Sequence, residues 1–454
     1  MRAALDQIDA CNPRVNAIVA LRDPAVLLAE ARERDEALAR GSSPGPLCGF
    51  PLAVKDLAAV KGLPLTKGSP ILKDHVADAD SLMVERLRAA GVIFIGKTNT
   101  PEFGLGSQTT NPVHGATRNA YDPRLTAGGS SGGAAVALAL RMVPVADGTD
   151  VGGSLRNPAG WNNVFGFRPS VGRVPIDRLD AWLPSMGVAG PMARSVEDLA
   201  LLLSVQAGYD ARQPLSLDGD GAVFRAPLEA DMRGKRVAWA GDFGGAMPYE
   251  PGVLELCRSA LTTFEEIGCI VEEARPDFPF ADLWRAFTTL RAWQTGASLS
   301  EFYNDPDKRL LMKPEAIYEV ESGLKLSAFD ISAASAVRAQ WHHAVQRFFE
   351  TFDAFVLPTA QVFPFDVGTM WPKEIAGKAM GSYHEWMQCA VPATMAGSPA
   401  LAAPAGFSAK GLPMGIQIVG PNRGDLDVLR LGHAYDRATR WPERRPPPML
   451  RAGR

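Results

Sequence analysis

Two serines in glycine-rich tracts and one lysine have the residue types and the spacing that catalysis requires. The first tract, GGSSGG at 128–133, contains Ser130, and the second, TDVGGS at 149–154, ends in Ser154, 24 residues after Ser130. Lys55 follows the apolar stretch FPLAV, 99 residues before Ser154. A serine hydroxyl is a poor nucleophile until a base takes its proton, and burial in an apolar strand can lower a lysine pKa by several units. The trio of Lys55, Ser130 and Ser154 therefore predicts a serine hydrolase that needs no histidine.

The glycines beside Ser154 support the same chemistry. Gly152 and Gly153 allow a tight turn that exposes successive backbone N–H groups, which are the donors that a developing oxyanion needs. Each feature also has an ordinary structural explanation. The tracts could be turns built from small residues, and Lys55 could extend to solvent or pair with Asp56. For Lys55, the local sequence supports both explanations equally.

Two literal motif matches fail on their structural context. Residues 91–98, GVIFIGKT, fit the phosphate-binding P-loop pattern,. Their four middle residues are bulky and apolar, which favours a strand, and Asn99-Thr100-Pro101 breaks the helix that a P-loop requires. The stretch 128–132 fits the GxSxG nucleophile elbow, which needs a strand directly before it, whereas 119–127 is turn-like. The histidines available as partners have no distinctive setting; they are His342, His343, His384 and His433.

Composition indicates an ordinary globular enzyme. The chain has 454 residues, of which 46% are hydrophobic and 21% charged, with a net charge of −3. This small negative charge does not predict the basic surface that nucleic-acid binding requires. The five cysteines show no CxxC spacing, so neither a zinc site nor a disulfide framework is predicted, and reduced thiols favour the cytoplasm,. Neither a signal-peptide core nor an apolar run long enough to cross a membrane is present in the sequence, so no membrane contact is predicted.

Alternating strand and helix patterns predict an α/β fold. We expect a single large α/β/α sandwich with a mixed, mostly parallel central sheet surrounded by helices. The predicted strands are 49–54, 92–95, 143–146, 235–240, 270–272 and 354–357. The predicted helices are 24–40, 81–90, 132–140, 195–207 and 252–267, and helices dominate 281–353. Ser195 is the expected N-cap of its helix, with Asp198 at the third helical position.

Several long motifs in the same order resemble the amidase signature family, the Ser-cisSer-Lys hydrolases. The matching stretches are 49–56, 96–104, 128–133, 148–159, 166–174 and 411–420. The resemblance runs through most of 12–205 and again from about 350 to 440, and it is weak in 208–350. It implies one amidase domain over 1–454, with a signature core at 45–205. Residues 208–350 are expected to form a variable, largely helical region on the substrate side.

The resemblance assigns a role to each residue of the trio. It makes Ser154 the acylated nucleophile, Ser130 a bridging serine on a cis peptide, and Lys55 the base behind Ser130. Ser131 is the rival to Ser130, and only the 24-residue spacing typical of the family selects between them. The groups expected around the oxyanion and the substrate are Val151, Gly152, Gly153 and Gly104, and the supporting residues are Ser131, Asp150 and Arg156.

The implied reaction is a two-step acyl transfer that needs no metal and no cofactor. Neutral Lys55 relays a proton from Ser154 through Ser130 while Ser154 attacks the amide carbonyl. Ser130 then returns the proton to the leaving amine, and water releases the carboxylic acid. The expected enzyme is an amidase that cleaves a small-molecule amide to a carboxylate and ammonia or an amine.

Several functions compete within this resemblance. The chain could be a free-standing amidase, the glutaminase subunit of a tRNA-dependent amidotransferase, or an ester or carbamoyl and urea-type hydrolase. A catalytically silent binding protein is disfavoured because the whole trio is present. Glutaminase subunits carry an Asp-Gln-Ile-Gly-Pro segment that helps to hold glutamine, whereas this chain has SMGVAGP at 185–191. The stretches 155–158 and 161–163 also resemble those of free-standing bacterial amidases. We therefore expect this chain to be a free-standing amidase. A homodimer is compatible with the resemblance.

Aromatic residues in the weakly matched region 208–350, and three more between 371 and 386, are candidates to line an acyl pocket,. Packing in the helical core is the ordinary explanation for any one of them. The residues are Trp284, Phe287, Trp293, Phe302, Tyr303, Trp371, Tyr383 and Trp386. If they do line the pocket, the substrate has an aromatic or hydrophobic acyl group.

Overall fold

The computed structural model describes residues 1–42, 44–177, 180–183 and 185–450. The strands β1 to β15 span Ile18–Val19, Pro51–Lys55, Ile93–Thr98, Thr110–Asn111, Gly115–Ala116, Val145–Asp150, Phe165–Arg168, Val188–Ala193, Arg236–Trp239, Ile270–Glu273, Ala354–Pro358, Glu374–Ile375, Lys378–Ala379, Ala400–Phe407 and Pro413–Val419. The helices α1 to α15 span Arg2–Val15, Pro24–Ala39, Leu82–Ala89, Gly132–Ala139, Arg156–Trp161, Val196–Gln206, Val253–Ser259, Leu261–Glu266, Phe280–Asn304, Pro306–Arg309, Pro314–Gly323, Ala328–Phe349, Val391–Ala396, Asp425–Thr439 and Trp441–Arg444. Short 3₁₀ turns lie at Pro70–Leu72, Glu102–Gly104, Gly221–Arg225, Glu385–Ala390 and Pro448–Leu450.

The largest sheet has eight strands in the order β10-β9-β11-β15-β14-β7-β8-β6. Helices α5, α6, α7 and α14 pack against it. The α/β class and the mixed sheet are therefore confirmed. The expectation of a mostly parallel sheet is wrong, because only the β10–β9 and β9–β11 pairings are parallel and the other five are antiparallel.

The connections between strands explain this difference. Helix α5 joins β6 to β7, as in a parallel crossover unit, but β8 lies between these two strands and runs antiparallel to both. Strands β14 and β15 form a hairpin through the short loop at 408–412, and the chain direction reverses there. The sequence alternation identifies the strands, but it does not specify which strands become neighbours.

A second sheet of three strands, β1-β3-β2, carries Lys55 at the end of β2. Strands β2 and β3 pair in parallel, and β3 is buried along its whole length. The apolar residues of the P-loop match thus belong to a strand, and only a short 3₁₀ turn at Glu102–Gly104 follows it. The rejection of that motif is confirmed.

The helix predictions hold with one correction. Ser195 caps α6, where its Oγ accepts a hydrogen bond of 3.1 Å from the Asp198 N–H. The segment 252–267 forms two helices, α7 and α8, which meet at Ala260, and not one. Helices α9, α11 and α12 pack together, and the region 281–353 is helical as predicted. Within the described part of the chain, no helix has the length and apolar character to cross a membrane.

Candidate active site

Three separate elements bring the trio together. Lys55 is the last residue of β2, Ser130 lies in the glycine tract before α4, and Ser154 lies in the turn between β6 and α5. The Gly129–Ser130 peptide bond is cis. Ser130 and Ser154 line the same cavity, and the ammonium nitrogen of Lys55 lies behind Ser130.

Lys55 is completely buried, and its Nζ is surrounded by hydroxyl groups. The distances from Nζ are 2.7 Å to Ser130 Oγ, 2.9 Å to Ser131 Oγ and 2.9 Å to Thr149 Oγ1. The alternative in which Lys55 extends to solvent or pairs with Asp56 is therefore wrong. Asp56 instead accepts hydrogen bonds from Thr66 and lies 3.8 Å from the Nζ of Lys97.

Burial gives Lys55 the electrostatic character of a base. It lowers the pKa of Lys55 to about 7, although the negative charges of Asp147 and Asp150 act in the opposite direction. Asp147 is also fully buried and accepts the backbone N–H of Lys55 at 3.1 Å. Burial raises the pKa of Asp147 to about 6. The pKa would rise further without the hydrogen bond from the Lys55 N–H and the positive charges of Lys97 and Lys55, which lower it. A neutral lysine is therefore available near neutral pH.

Ser130 and Ser131 have different surroundings although both contact Lys55. Ser130 lines the cavity, and a Cβ at Gly104 would lie 3.6 Å from its Oγ. Ser131 is fully buried, and its backbone N–H donates to the carbonyl oxygen of Ser154 at 3.1 Å. Ser131 therefore links the two glycine tracts.

The turn before Ser154 is held by Asp150. Gly153 has a φ of +92°, a conformation that suits glycine, and its amide donates to the Asp150 carboxylate at 3.2 Å,. Gly152 lines the cavity, and a Cβ there would meet no atom within 4 Å. The carbonyl of Val151 accepts a hydrogen bond of 2.6 Å from Thr394. The Gly153 amide therefore stabilises the turn, while Val151 and Gly152 lie at the cavity wall.

Two buried arginines neutralise Asp150. Arg156 Nη2 lies 2.8 Å and Arg168 Nη1 lies 3.2 Å from Asp150 Oδ1, and all three side chains are completely buried. Burial alone would raise the pKa of Asp150, but the arginines hold it well below its usual range. Arg156 also donates to Gln417, Thr394 and the Ala390 carbonyl, so the turn is tied to β15 and α13. Asp150 and Arg156 thus contact the turn that carries Ser154, and their supporting role in catalysis stays a prediction.

The cavity has a volume of ≈ 220 Å³ and contains none of the predicted aromatic residues. Within the part of the chain that the structure describes, the residues that line the cavity are Leu57, Phe103, Gly104, Leu105, Gly106, Ser107, Ser130, Thr149, Val151, Gly152, Ser154, Arg291, Thr295, Ser298 and Met387. The hypothesis that these aromatic residues line the acyl pocket is therefore wrong for this cavity, and the alternative of packing in the core stands. Trp386 instead stacks on Trp161 in the core, and Phe302 contacts the site only by stacking on Phe103 at 5.5 Å.

Sequence reasoning missed several residues of the site. Asp147 and Thr149 lie on β6 two residues apart, so they share one face of the strand, and both contact Lys55,. The predicted strand 143–146 ends before Asp147, whereas β6 spans Val145–Asp150, so the spacing becomes a signal only when the strand is extended to Asp150. Arg291 and its neighbours on α9 gave no comparable signal, since an arginine on a long helix usually faces solvent. A possible metal-binding combination, Glu197, Glu229 and His433, has ligand atoms within 4.8 Å of one another but does not line this cavity.

Comparison with known proteins gives a consistent result. A family model described as Amidase matches residues 1–429. An acylamidase from Rhodococcus erythropolis is 34% identical over 452 residues, which cover 99% of this chain and 93% of that protein. The crystal structure of a bacterial aryl acylamidase of the amidase signature family superposes with a TM-score of 0.90 at 30% identity, covering 100% of this chain and 94% of the other.

A second group of relatives has another function. One of them, a glutamyl-tRNA(Gln) amidotransferase subunit from Chloroflexus aurantiacus, is 34% identical over an alignment of 466 residues. The match covers 98% of this chain and 93% of that relative. Because this identity equals that of the acylamidase, overall sequence similarity does not distinguish the two functions. Only the residues of the cavity can distinguish them.

Proposed function

This chain belongs to the amidase signature family, and we propose that it is a free-standing amidase that uses Lys55, Ser130 and Ser154. It is an amide-hydrolysing enzyme with an α/β fold. The observation that carries the proposal is the 2.7 Å contact between Lys55 Nζ and Ser130 Oγ, at the wall of a cavity that Ser154 also lines. This contact supports a role for Ser130 as the link between Lys55 and Ser154.

In the proposed mechanism, Lys55 and Ser130 move the protons while Ser154 forms the covalent bond. Neutral Lys55 accepts the proton of Ser130 as Ser130 accepts that of Ser154, and Ser154 Oγ attacks the carbonyl carbon. The resulting oxyanion accepts hydrogen bonds from the backbone amides at Val151, Gly152 and Ser154. The Gly153 amide donates to Asp150 and so maintains the shape of this turn.

The second half of the reaction regenerates the enzyme. The C–N bond breaks as Ser130 delivers its proton to the leaving nitrogen, and protonated Lys55 restores the Ser130 hydroxyl. A water molecule then attacks the acyl carbon and gives its proton to the same relay. The ester bond to Ser154 Oγ breaks, and the relay returns the proton to this oxygen. The products are a carboxylic acid and ammonia or an amine, and the proton count is unchanged over the cycle.

The cavity favours a free-standing amidase over a glutaminase subunit. Glutamine carries an ammonium group that requires an acceptor, preferably an acidic one. None of the described cavity residues is acidic, and the segment 185–191 lacks the acidic residue of glutaminase subunits. The mixture of Leu57, Leu105 and Met387 with hydroxyl groups instead suits a small neutral amide,.

A substrate panel on the purified protein, without partner subunits, tests the proposal. The panel contains acetanilide and other anilides, straight-chain carboxamides, the matching ethyl esters and carbamates, and glutamine. We expect hydrolysis of the neutral amides and no measurable release of ammonia from glutamine. A kcat/KM for glutamine above that of every neutral amide would favour the glutaminase. Hydrolysis confined to esters or carbamates would favour those activities.

Ser130 and Ser131 provide an internal test of the relay. Ser130→Ala should lower kcat by about 10³-fold, within the range typical of proton-transfer groups. Ser131→Ala removes one buried hydroxyl contact to Lys55 and should lower kcat by only about fivefold, since such a bond contributes about 1 kcal/mol. Steady-state hydrolysis of an anilide measures both effects. Equal losses, or a larger loss for Ser131→Ala, would exchange the roles of the two serines.

The cysteines support a cytoplasmic location, which we include in the proposal. Cys11, Cys48, Cys257, Cys269 and Cys389 are free thiols. Free thiols in these numbers are typical of a reducing compartment. A homodimer stays a prediction, which the molar mass in solution would test.

A further inference from the structure

One wall of the catalytic cavity is polar and is formed by helix α9. Arg291, Thr295 and Ser298 lie four and three residues apart along this helix, so they share one face, and all three line the cavity,. The proposed mechanism uses none of them. Their position beside Ser154 and Ser130 makes them part of the substrate's surroundings.

Arg291 is buried, and two hydrogen bonds hold its side chain in place. Its Nε donates to Glu319 Oε1 at 2.7 Å, and its Nη2 donates to the Tyr383 hydroxyl at 3.0 Å. Its third nitrogen, Nη1, makes no hydrogen bond to any residue that the structure describes. A guanidinium has five N–H donors in a rigid plane, so these contacts orient Arg291 but leave donors for a ligand in the cavity.

The ion pair with Glu319 sets the charge of this wall. Besides Arg291, the Tyr383 hydroxyl and His384 Nε2 also contact Glu319 Oε1, the latter at 2.9 Å. Burial would raise the pKa of Glu319, but Arg291 and these hydrogen bonds lower it to about 2. Burial lowers the pKa of His384. At neutral pH the cluster therefore contains one positive and one negative charge and has no net charge.

We propose that Arg291, together with Thr295 and Ser298, binds a second, uncharged carbonyl oxygen of the substrate, distinct from the carbonyl that Ser154 attacks. A structural ion pair alone would account for the contacts of Nε and Nη2, but not for an arginine that lines the catalytic cavity with Nη1 unused. A neutral acceptor is favoured over a carboxylate, because Glu319 already balances Arg291 and a buried carboxylate would lack a counter-charge. The inference rests on the proposed function and specifies its substrate class as small amides with a second amide, urea or ester carbonyl.

Three series of straight-chain amides, matched in length from four to eight carbons, test this subsite. The far end of the chain is a methyl group, a carboxamide or a carboxylate. For at least one length, we expect kcat/KM for the carboxamide-ended amide to exceed that of the methyl-ended amide by roughly 10- to 100-fold, as for a hydrogen bond to a charged donor. The carboxylate-ended series should not exceed the carboxamide-ended series. A preference for the carboxylate at every length would overturn the neutral-acceptor assignment.

Variants of Arg291 link the preference to this residue. Arg291→Met should bring the carboxamide-to-methyl ratio close to one. The ratio is the readout and not the absolute rate, because Arg291 lines the catalytic cavity and its loss can lower kcat/KM for both series. Because this variant leaves the Glu319 charge buried and unpaired, the double variant Arg291→Met with Glu319→Gln provides a charge-balanced version, with the melting temperature as the folding control. If a folded variant keeps the wild-type ratio, the proposed subsite is wrong.

The two proposals fail in different ways in this experiment. Absence of hydrolysis for all three series and for the anilides of the substrate panel would contradict the proposed amidase itself, whereas hydrolysis of anilides alone would overturn the substrate class inferred here. Hydrolysis of the methyl-ended series with no preference at any length would overturn only the subsite.

Discussion

Ser154→Ala is expected to lower kcat for amide hydrolysis by at least about 10⁴-fold, because removing the nucleophile of a serine hydrolase leaves only binding and oxyanion stabilisation. The substitution removes one oxygen from a side chain that is 8% exposed, so the fold should be retained. Steady-state kinetics with an anilide measures the loss. Intact-protein mass spectrometry with a fluorophosphonate tests the nucleophile directly, and the wild type should gain one adduct that Ser154→Ala does not form.

Ser107 provides a matched control for this variant. It is a serine of the same cavity, and its Oγ is directed at the Met387 sulfur and not at Lys55. Ser107→Ala should therefore retain activity within about tenfold of the wild type and should still form the fluorophosphonate adduct. An adduct on Ser154→Ala, or a retained rate above one-tenth of the wild type, would exclude Ser154 as the nucleophile.

The sequence allowed the strands to be located but not their neighbours to be identified. The apolar runs at β2 and β3 predict buried strands, and Ser195 predicts the start of α6, because these signals depend on residues close in sequence. Strand direction within the sheet depends on distant contacts. The insertion of β8 between β6 and β7 is one example, since nothing in the α5 crossover shows that another strand will separate the two,.

The same distinction applies to the site. Glycine tracts allow tight turns that other residues rarely adopt, so Ser130 and Ser154 can be recognised in the sequence itself. The aromatic residues could not be assigned from the sequence, because their large apolar surfaces favour the core at least as strongly as a pocket. Trp386, for example, packs against Trp161 and Phe365. Arg291 could not be predicted, since its place in the cavity depends on contacts with α11 and with the loop that carries Tyr383.

The acid limb of the pH–rate profile should report Lys55. The mechanism needs its neutral form, and burial lowers its pKa to about 7. Below that pH the neutral fraction falls about tenfold for each pH unit, so kcat/KM should fall with it, and it should level off above about pH 8. Lys55→Met should lower kcat by about 10³-fold or more and remove this limb. A rate that stays constant from pH 5 to 9 in the wild type would contradict a lysine base.

Asp147 allows the titrating group to be identified. Its negative charge raises the pKa of Lys55, and its carboxylate accepts the Lys55 backbone N–H. Asp147→Asn removes the charge but keeps an oxygen that can accept this hydrogen bond. If Lys55 is the base, less stabilisation of its ammonium form lowers its pKa, and the acid limb should move to lower pH. Because the pKa of Asp147 is itself about 6, a limb caused by Asp147 would instead disappear in this variant. An acid limb that moves to lower pH in Asp147→Asn therefore identifies Lys55 as the titrating group. An acid limb that disappears identifies Asp147.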